Sequence, residues 1–308
     1  MIRIAFFATP DIALKSLDYL FNQKDIEVCA VVTQPDRPSG RGHKIVCSPI
    51  KNFATEHNIK VLQPESIKKS KETIDELKSL NLDFFVTFAF GQILSQEVLD
   101  IPKFATINLH ASLLPKYRGA NPIQRALING DKETGICTMI TELGMDCGNI
   151  CKKDVIKIND STNFENLHDE ISVKSPELIY ETLTEMYNGT LTSTPQNHDE
   201  ATFAPKLSKE ECLIDWHKTS REIHNLVRGI YKSPSAYFVY DNKQIKVLET
   251  KICDCKGNCE CGNIVCCDKE GVEIKTSDGA IKLIKVKPEG KNEIFARDWY
   301  NGLKGRQI

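Results

Sequence analysis

Short apolar runs alternate with amphipathic stretches through the first half of the chain. Apolar residues recur at helical spacing in Ile12–Phe21 and Ile67–Leu80, which predicts helices there. We expect buried strands at Ile2–Ala8, Glu27–Thr33, Ile59–Leu62, Phe84–Ala89 and Ala105–Leu109. Strands that alternate with helices are typical of βαβ units, so the pattern predicts an α/β domain with a doubly wound, mostly parallel, Rossmann-like sheet. The first turn lacks the Gly-x-Gly-x-x-Gly pattern of dinucleotide-binding proteins.

The second half has a different pattern. One or two helices over Asn163–Tyr187 close the first domain, and the polar, aperiodic stretch 189–206 is predicted to be a linker. A helix that begins at Thr219 or Ser220 follows, and after it five short strands separated by turns. Such strands favour a small OB-like β-barrel, a fold that often binds nucleic acid. We therefore divide the chain into a catalytic domain at 1–188, a linker at 189–206 and a C-terminal barrel at 207–308.

Composition excludes some classes of protein and leaves others open. The 308 residues are 41% apolar and 27% charged, as in an ordinary globular protein, and no apolar run reaches the ~20 residues of a membrane span. The N terminus does not have the pattern of a signal peptide, so we expect a cytoplasmic protein. Residues 1–204 carry a net charge of −6 and residues 205–308 one of +4. This asymmetry suits a catalytic domain joined to a nucleic-acid-binding one, although scattered surface charge accounts for it equally well.

The chain has twelve cysteines, and six of them lie between Cys253 and Cys267. Without a secretory signal, a disulfide framework is not expected. The pairs Cys253-x-Cys255 and Cys259-x-Cys261 fit the usual Cys-x2–4-Cys spacing of structural zinc poorly. We favour a surface loop over a zinc site, and the question stays open at this stage.

The residues that carry chemistry follow the last strand of the first half. Asn108 and His110 are two apart at a predicted strand end, so their side chains leave the same face of the sheet. Asp146 lies in a glycine-containing turn and would orient His110 and stabilise its charged form. An isolated Asn-x-His is more often a pair of hydrogen-bonded loop residues than part of a functional site. The long basic loop Thr33–Lys51 favours a functional site here, because long loops in compact domains are more often functional.

Several motifs together resemble the methionyl-tRNA formyltransferases, a branch of the formyltransferases that use 10-formyltetrahydrofolate. They are the Thr-Gln-Pro-Asp-Arg-Pro-x-Gly-Arg-Gly loop, the Asn-x-His-x-Ser-Leu-Leu-Pro-x-x-Arg-Gly run from Asn108, the Met-Asp-x-Gly turn, and Lys206–Glu211 with Ile214–Trp216. The resemblance covers nearly the whole chain. The catalytic run is shared by other formyltransferases, whereas the arginine-bearing loop and the C-terminal domain are more selective for the tRNA enzymes.

The resemblance implies a role for each matching position. It makes Asn108, His110 and Asp146 the catalytic residues, and Arg41, with Arg37 and Lys44 behind it, the residues that contact tRNA. It implies initiator methionyl-tRNA as partner, a folate co-substrate, no metal and no membrane, and we expect a monomer. The positions that it assigns to the folate are Phe88, Phe90, Gly91, Gln92, Ile93, Leu94, Ser112, Leu113, Leu114 and Pro115.

Three residues depart from the family pattern. Ala8 stands where the family usually has Gly, Cys147 replaces a Thr or Ser, and Ser233 stands where a Trp often precedes Pro234. Other activities stay open at this stage: a formyltransferase for an amino sugar nucleotide or for glycinamide ribonucleotide, a formyltetrahydrofolate hydrolase, or an RNA-binding protein on an inactive scaffold.

Overall fold

The computed structural model describes residues 1–39, 44–232, 234–253 and 259–304. Up to residue 204, the helices are α1 (Leu14–Phe21), α2 (Pro49–Glu56), α3 (Lys71–Ser79), α4 (Gln96–Leu99), α5 (Pro122–Ile128) and α6 (Phe164–Tyr187). The strands are β1 (Ile2–Ala8), β2 (Ile26–Val32), β3 (Arg37–Ser39), β4 (Lys44–Val46), β5 (Lys60–Leu62), β6 (Phe84–Phe88), β7 (Ala105–His110), β8 (Arg118–Gly119), β9 (Glu133–Ile140), β10 (Ile150–Lys157) and β11 (Phe203–Ala204).

Apolar runs that are buried on both faces form the centre of a seven-stranded sheet, in the order β10-β9-β7-β6-β1-β2-β5. Strands β5, β2, β1, β6 and β7 are parallel to one another, which confirms the predicted doubly wound domain. Strand β9 pairs antiparallel with β7. The carboxyl ends of β6 and β7 therefore lie side by side, at the edge of the sheet where ligands bind in such folds.

Two predicted elements of the first half differ in the structure. The helix expected over Ile67–Leu80 is a 3-10 turn followed by α3, because the Ser70 side chain accepts a hydrogen bond from Thr73 N and caps a new helix start. The loop Thr33–Lys51, expected to be flexible, carries the antiparallel hairpin β3–β4. Asp36 anchors its base, since the carboxylate pairs with Lys51 and accepts from Gln63 Nε2 at 2.9 Å.

The C-terminal half contains α7 (Ser220–Gly229), α8 (Ala296–Lys304) and the strands β12 (Ala236–Tyr240), β13 (Lys243–Cys253), β14 (Ile264–Cys267), β15 (Val272–Lys275), β16 (Ala280–Pro288) and β17 (Ile294–Phe295). The five expected strands form an antiparallel sheet in the order β12-β13-β16-β15-β14, and β17 pairs with β16. Thr219 begins α7 with a capping box to Glu222. Ile223 and Val227 of this helix are buried in the same cluster as Val247 and Leu283.

The chain divides into two units. One comprises residues 1–119, 134–157 and 168–204, and the other residues 120–133, 158–167 and 205–308. The stretch from residue 189 to 204, predicted as a linker, thus clusters with the first unit, where Thr194 pairs with Ile150 and β11 pairs with β8. No helix of the described residues is long and apolar enough to cross a membrane.

Candidate active site

Asn108 is held from the neighbouring strand. Thr87 on β6 lies opposite Asn108 on β7, and its hydroxyl donates to Asn108 Oδ1 at 2.8 Å. The Asp146 carboxylate fixes the orientation of the amide, since a carboxylate can only accept and the amide nitrogen must therefore face it. The amide nitrogen therefore points away from β6, and Asn108 Nδ2 lies 3.5 Å from Asp146 Oδ1. An amide nitrogen carries two hydrogens, so a second donor is present for a ligand.

His110, two residues along β7, is buried. Its Nε2 lies 2.9 Å from the carbonyl oxygen of Tyr117, an arrangement in which Nε2 carries hydrogen and donates. The other ring nitrogen, Nδ1, is 3.6 Å from Asp146 Oδ2. The proton that His110 can gain or lose is therefore on Nδ1, the nitrogen that faces the carboxylate.

Asp146 has a left-handed backbone with φ of 48°, which few residues other than glycine adopt. Its Oδ2 accepts a hydrogen bond from the backbone nitrogen of Gly119 at 2.8 Å. The carboxylate thus faces three groups that donate or carry hydrogen: a backbone amide, the Asn108 amide and the His110 ring. Such surroundings fix the direction of the carboxylate.

Neither nearby nucleophile is placed like an activated one. The hydroxyl of Ser112 donates to the carbonyl oxygen of Lys116 at 2.6 Å and is buried. The sulfur of Cys147 packs against Gly144, where an added Cβ would come within 2.2 Å of it. The combination that remains, a neutral amide donor beside an imidazole and a carboxylate, can stabilise an oxyanion and move a proton.

The positions expected to hold the folate form two segments. In the first, Phe88, Phe90 and Leu94 are buried, Gly91 has φ of 82°, and Ile93 is 80% exposed. The backbone of this segment is tied down, since Gln34 Nε2 donates to Phe90 O at 3.1 Å. Gln92 accepts from Ile67 N at 2.7 Å. An anchored backbone next to an exposed apolar side chain suits a flat heterocycle with polar edges.

In the second segment Ser112 and Leu114 are buried, and Leu113 and Pro115 are half-buried. Leu114 packs with Cys137, Met139 and Ile150. Leu114 therefore belongs to the core of the domain, and the folate assignments stay predictions.

Two of the three expected tRNA-contacting residues, Arg37 and Lys44, are on the β3–β4 hairpin. Arg37 begins β3 and its side chain is exposed, and Lys44 begins β4. Arg41 lies outside the described residues. Among the three departures from the family pattern, Ala8 is buried at the end of β1 and Cys147 is half-buried, while Ser233 is outside the described residues.

Sequence reasoning missed several groups that build the site. They are the hydroxyl of Thr87, the carbonyl of Tyr117, the backbone amide of Gly119 and the side chain of Gln196. Only the first is close to a predicted site residue on an adjacent strand, and parallel pairing of β6 with β7 is the signal that would have found it. Within the described part of the chain, no group of three or more His, Cys, Asp or Glu side chains is arranged to hold a metal ion.

A doubly wound sheet that carries an amide donor, an imidazole and a carboxylate at the carboxyl ends of its strands has the groups that acyl transfer uses. The chain matches the family model described as formyl transferase over residues 2–183, and the formyl transferase C-terminal domain over residues 206–304. It belongs to the formyl transferase family.

The chain is similar in sequence to several relatives and, at lower identity, similar in fold to solved structures. The methionyl-tRNA formyltransferase of Clostridium perfringens (strain SM101 / Type A) is 43% identical over 97% of this chain and 96% of the relative. That of Clostridium tetani is 41% identical over 99% and 97%. Among solved structures, WlaRD, a sugar 3N-formyl transferase in the presence of dTDP and 5-N-formyl-THF, has a TM-score of 0.67 at 20% identity and covers 95% of this chain and 99% of its own. That last likeness concerns the fold.

Proposed function

We propose that the protein transfers the formyl group of 10-formyltetrahydrofolate to the α-amine of methionine esterified to initiator tRNA. The observation that carries this proposal is similarity to methionyl-tRNA formyltransferases at 41–43% identity along almost the full chain. The geometry of Asn108, His110 and Asp146 supports it, because these three groups suit acyl transfer without a covalent intermediate. We further propose that the protein acts in the cytoplasm and as a monomer.

In this proposal each residue has one task. The bound folate supplies the formyl carbon that the amine attacks. Asn108 Nδ2 donates to the formyl oxygen as that oxygen becomes negatively charged. The amine loses a proton to the His110–Asp146 pair through Nδ1, and the pair returns a proton to the folate nitrogen that leaves with the electrons of the broken C–N bond. Charge and protons therefore balance over one turnover.

The folate assignment rests on Phe88–Leu94 and Ser112–Pro115, and the tRNA assignment on Arg37, Arg41 and Lys44. A basic hairpin suits the phosphates of an acceptor stem, which attract Arg and Lys side chains in a salt-dependent way. Arg41 is the leading candidate for this contact.

The deciding experiment offers 10-formyltetrahydrofolate with charged initiator tRNA, with charged elongator tRNA, with an amino sugar nucleotide, and with no acceptor. Formyl transfer is then followed with a labelled formyl group. We expect transfer to initiator methionyl-tRNA in preference to the others. Transfer to the sugar alone, or formate release that needs no acceptor, would overturn the proposal in favour of a sugar formyltransferase or a hydrolase.

A further inference from the structure

The polar segment 194–204 connects two parts of the first unit, although its sequence has no pattern that predicts this. At one end, Thr194 exchanges two backbone hydrogen bonds with Ile150, at 2.9 and 2.8 Å, just after the turn that holds Asp146. At the other end, β11 pairs with β8, whose Gly119 donates its backbone hydrogen to the Asp146 carboxylate. The segment is thus tied to both pieces of chain that fix Asp146.

Gln196 is the buried side chain of this segment, 7% exposed. Its Nε2 donates to the carbonyl oxygens of Asp146 at 2.9 Å and Gly148 at 2.7 Å. Its Oε1 accepts from Arg118 Nε at 3.1 Å and Nη2 at 2.7 Å. The amide can face only this way, because a guanidinium has no acceptor and a carbonyl has no donor. Both hydrogens of Gln196 are therefore directed at the Asp146 turn.

That turn needs such a restraint. Asp146 holds a positive φ, a conformation that persists in residues with side chains only where the surroundings impose it. Gly119 holds the carboxylate end of the residue, and Gln196 holds its backbone end. If the backbone end moved, the carboxylate would turn away from His110 Nδ1.

We infer that Gln196 is a positioning residue that sets the catalytic carboxylate, and that Arg118 fixes Gln196 in turn. The inference rests on the proposed function in one respect, that Asp146 takes part in the transfer step. It assigns a role in turnover to a segment that lies beyond the matched N-terminal family region, which ends at residue 183.

The test is the near-isosteric change Gln196→Glu. The new carboxylate still accepts from Arg118, but its second oxygen meets the carbonyl oxygens of Asp146 and Gly148 and repels them. We expect kcat for formyl transfer to fall about 10–100-fold, since a misplacement of about 1 Å in a catalytic group costs up to about 10²-fold. The KM for 10-formyltetrahydrofolate should stay unchanged. Gln23→Glu is the matched control, because its amide also donates to a backbone carbonyl, that of Tyr19 at 3.1 Å, at the end of α1.

A double-mutant cycle with Asp146→Asn separates positioning from general loss of structure. If Gln196 works through Asp146, the Gln196→Glu change should cost little more once the carboxylate is gone. Losses that multiply in the double variant would overturn the inference, and so would a wild-type kcat in Gln196→Glu.

A second readout does not depend on turnover. The backbone hydrogen of Gly119, which Asp146 accepts, should exchange with solvent faster in Gln196→Glu than in the wild-type protein, while amides of the C-terminal sheet keep their protection. Unchanged exchange at Gly119 counts against the inference. If Gln196→Glu does not fold, Gln196→Asn, whose amide is one methylene shorter, should show the same loss in weaker form. Failure of the wild-type protein to formylate methionyl-tRNA refutes the proposed function, whereas normal turnover in both Gln196 variants refutes only the positioning role.

Discussion

Replacing Asp146 by Asn keeps the shape of the side chain and removes its charge. The amide oxygen can keep the bond from Gly119 N only by taking the place of Oδ2. The amide nitrogen then faces Asn108 Nδ2, so two donors meet where a donor and an acceptor met before. Asn108 can relieve this contact only by turning its amide over, which places Nδ2 against the Thr87 hydroxyl and removes its donor from the site.

The size of the effect follows from the distance to His110. Two unit charges 3.6 Å apart attract by about 4–5 kcal/mol at an effective dielectric constant of about 20. Because the Asp146 side chain is 21% exposed and Nδ1–Oδ2 is longer than a hydrogen bond, we expect water to remove part of this attraction. A loss of about 3–4 kcal/mol in the transition state corresponds to a kcat lower by about 10²–10³-fold.

The assay is the initial rate of formyl transfer at saturating folate and charged tRNA, with the two KM values measured alongside. Asp100→Asn, the same exchange at an exposed position that accepts from Gln96, serves as the control. The reasoning is refuted if Asp146→Asn keeps a kcat near that of the wild-type protein, or if the loss appears in the KM for folate instead.

Three other predictions concern the amide donor, the basic hairpin and a buried thiol. Asn108→Ala should lower kcat by about 10²–10³-fold because a hydrogen-bond donor is lost. Thr87→Val should lower kcat less, because the Asn108 amide remains and is only freed to rotate. Equal losses of kcat in the two variants would contradict this ranking. Arg37→Ala should raise the KM for methionyl-tRNA at low salt and leave the KM for folate unchanged. Lys24→Ala, on the same unit, is the control and should change neither KM. An unchanged KM for methionyl-tRNA in Arg37→Ala would remove Arg37 from the tRNA contact. Burial raises the pKa of the Cys137 thiol to about 11. Its thiolate fraction at pH 8 is then about 10⁻³, so iodoacetamide should label Cys137 in denaturant but not in the native protein, as read by peptide mass mapping.

The central strands were predictable because they are buried on both faces and read as unbroken apolar runs. The last two strands of the sheet, β9 and β10, were not. β10 carries Lys152, Lys153 and Lys157, which suit an exposed edge but break the apolar signal. β9 contains Gly135, where an added Cβ would lie 2.1 Å from the carbonyl oxygen of Asp154. A single sequence does not distinguish a glycine that a close neighbouring backbone requires from a glycine in a turn.

The candidate site divides along the same line. Asn108 and His110 could be placed together from their spacing on one strand, and Asp146 was paired with His110 as an acid in a glycine-containing turn and then matched by resemblance to a family. The contacts that orient these residues join positions far apart in the chain: Thr87 with Asn108, Gly119 with Asp146, and Gln196 with the Asp146 turn. Gln196 lies in a polar stretch with no periodic pattern, and no local signal distinguishes a buried amide from a solvated one.

The orientation of His110 also bears on the type of chemistry. An activated serine or cysteine needs a histidine with one ring nitrogen on the nucleophile and the other on an orienting group. Here Nε2 donates to the carbonyl of Tyr117, a backbone group that cannot act as a nucleophile, and Nδ1 faces Asp146. The nearby hydroxyl of Ser112 already donates to Lys116, and the thiol of Cys147 lies against Gly144. This pairing leaves the acceptor amine itself as the nucleophile of the proposed transfer, and Cys147, one of the departures from the expected family pattern, adds no covalent step to it.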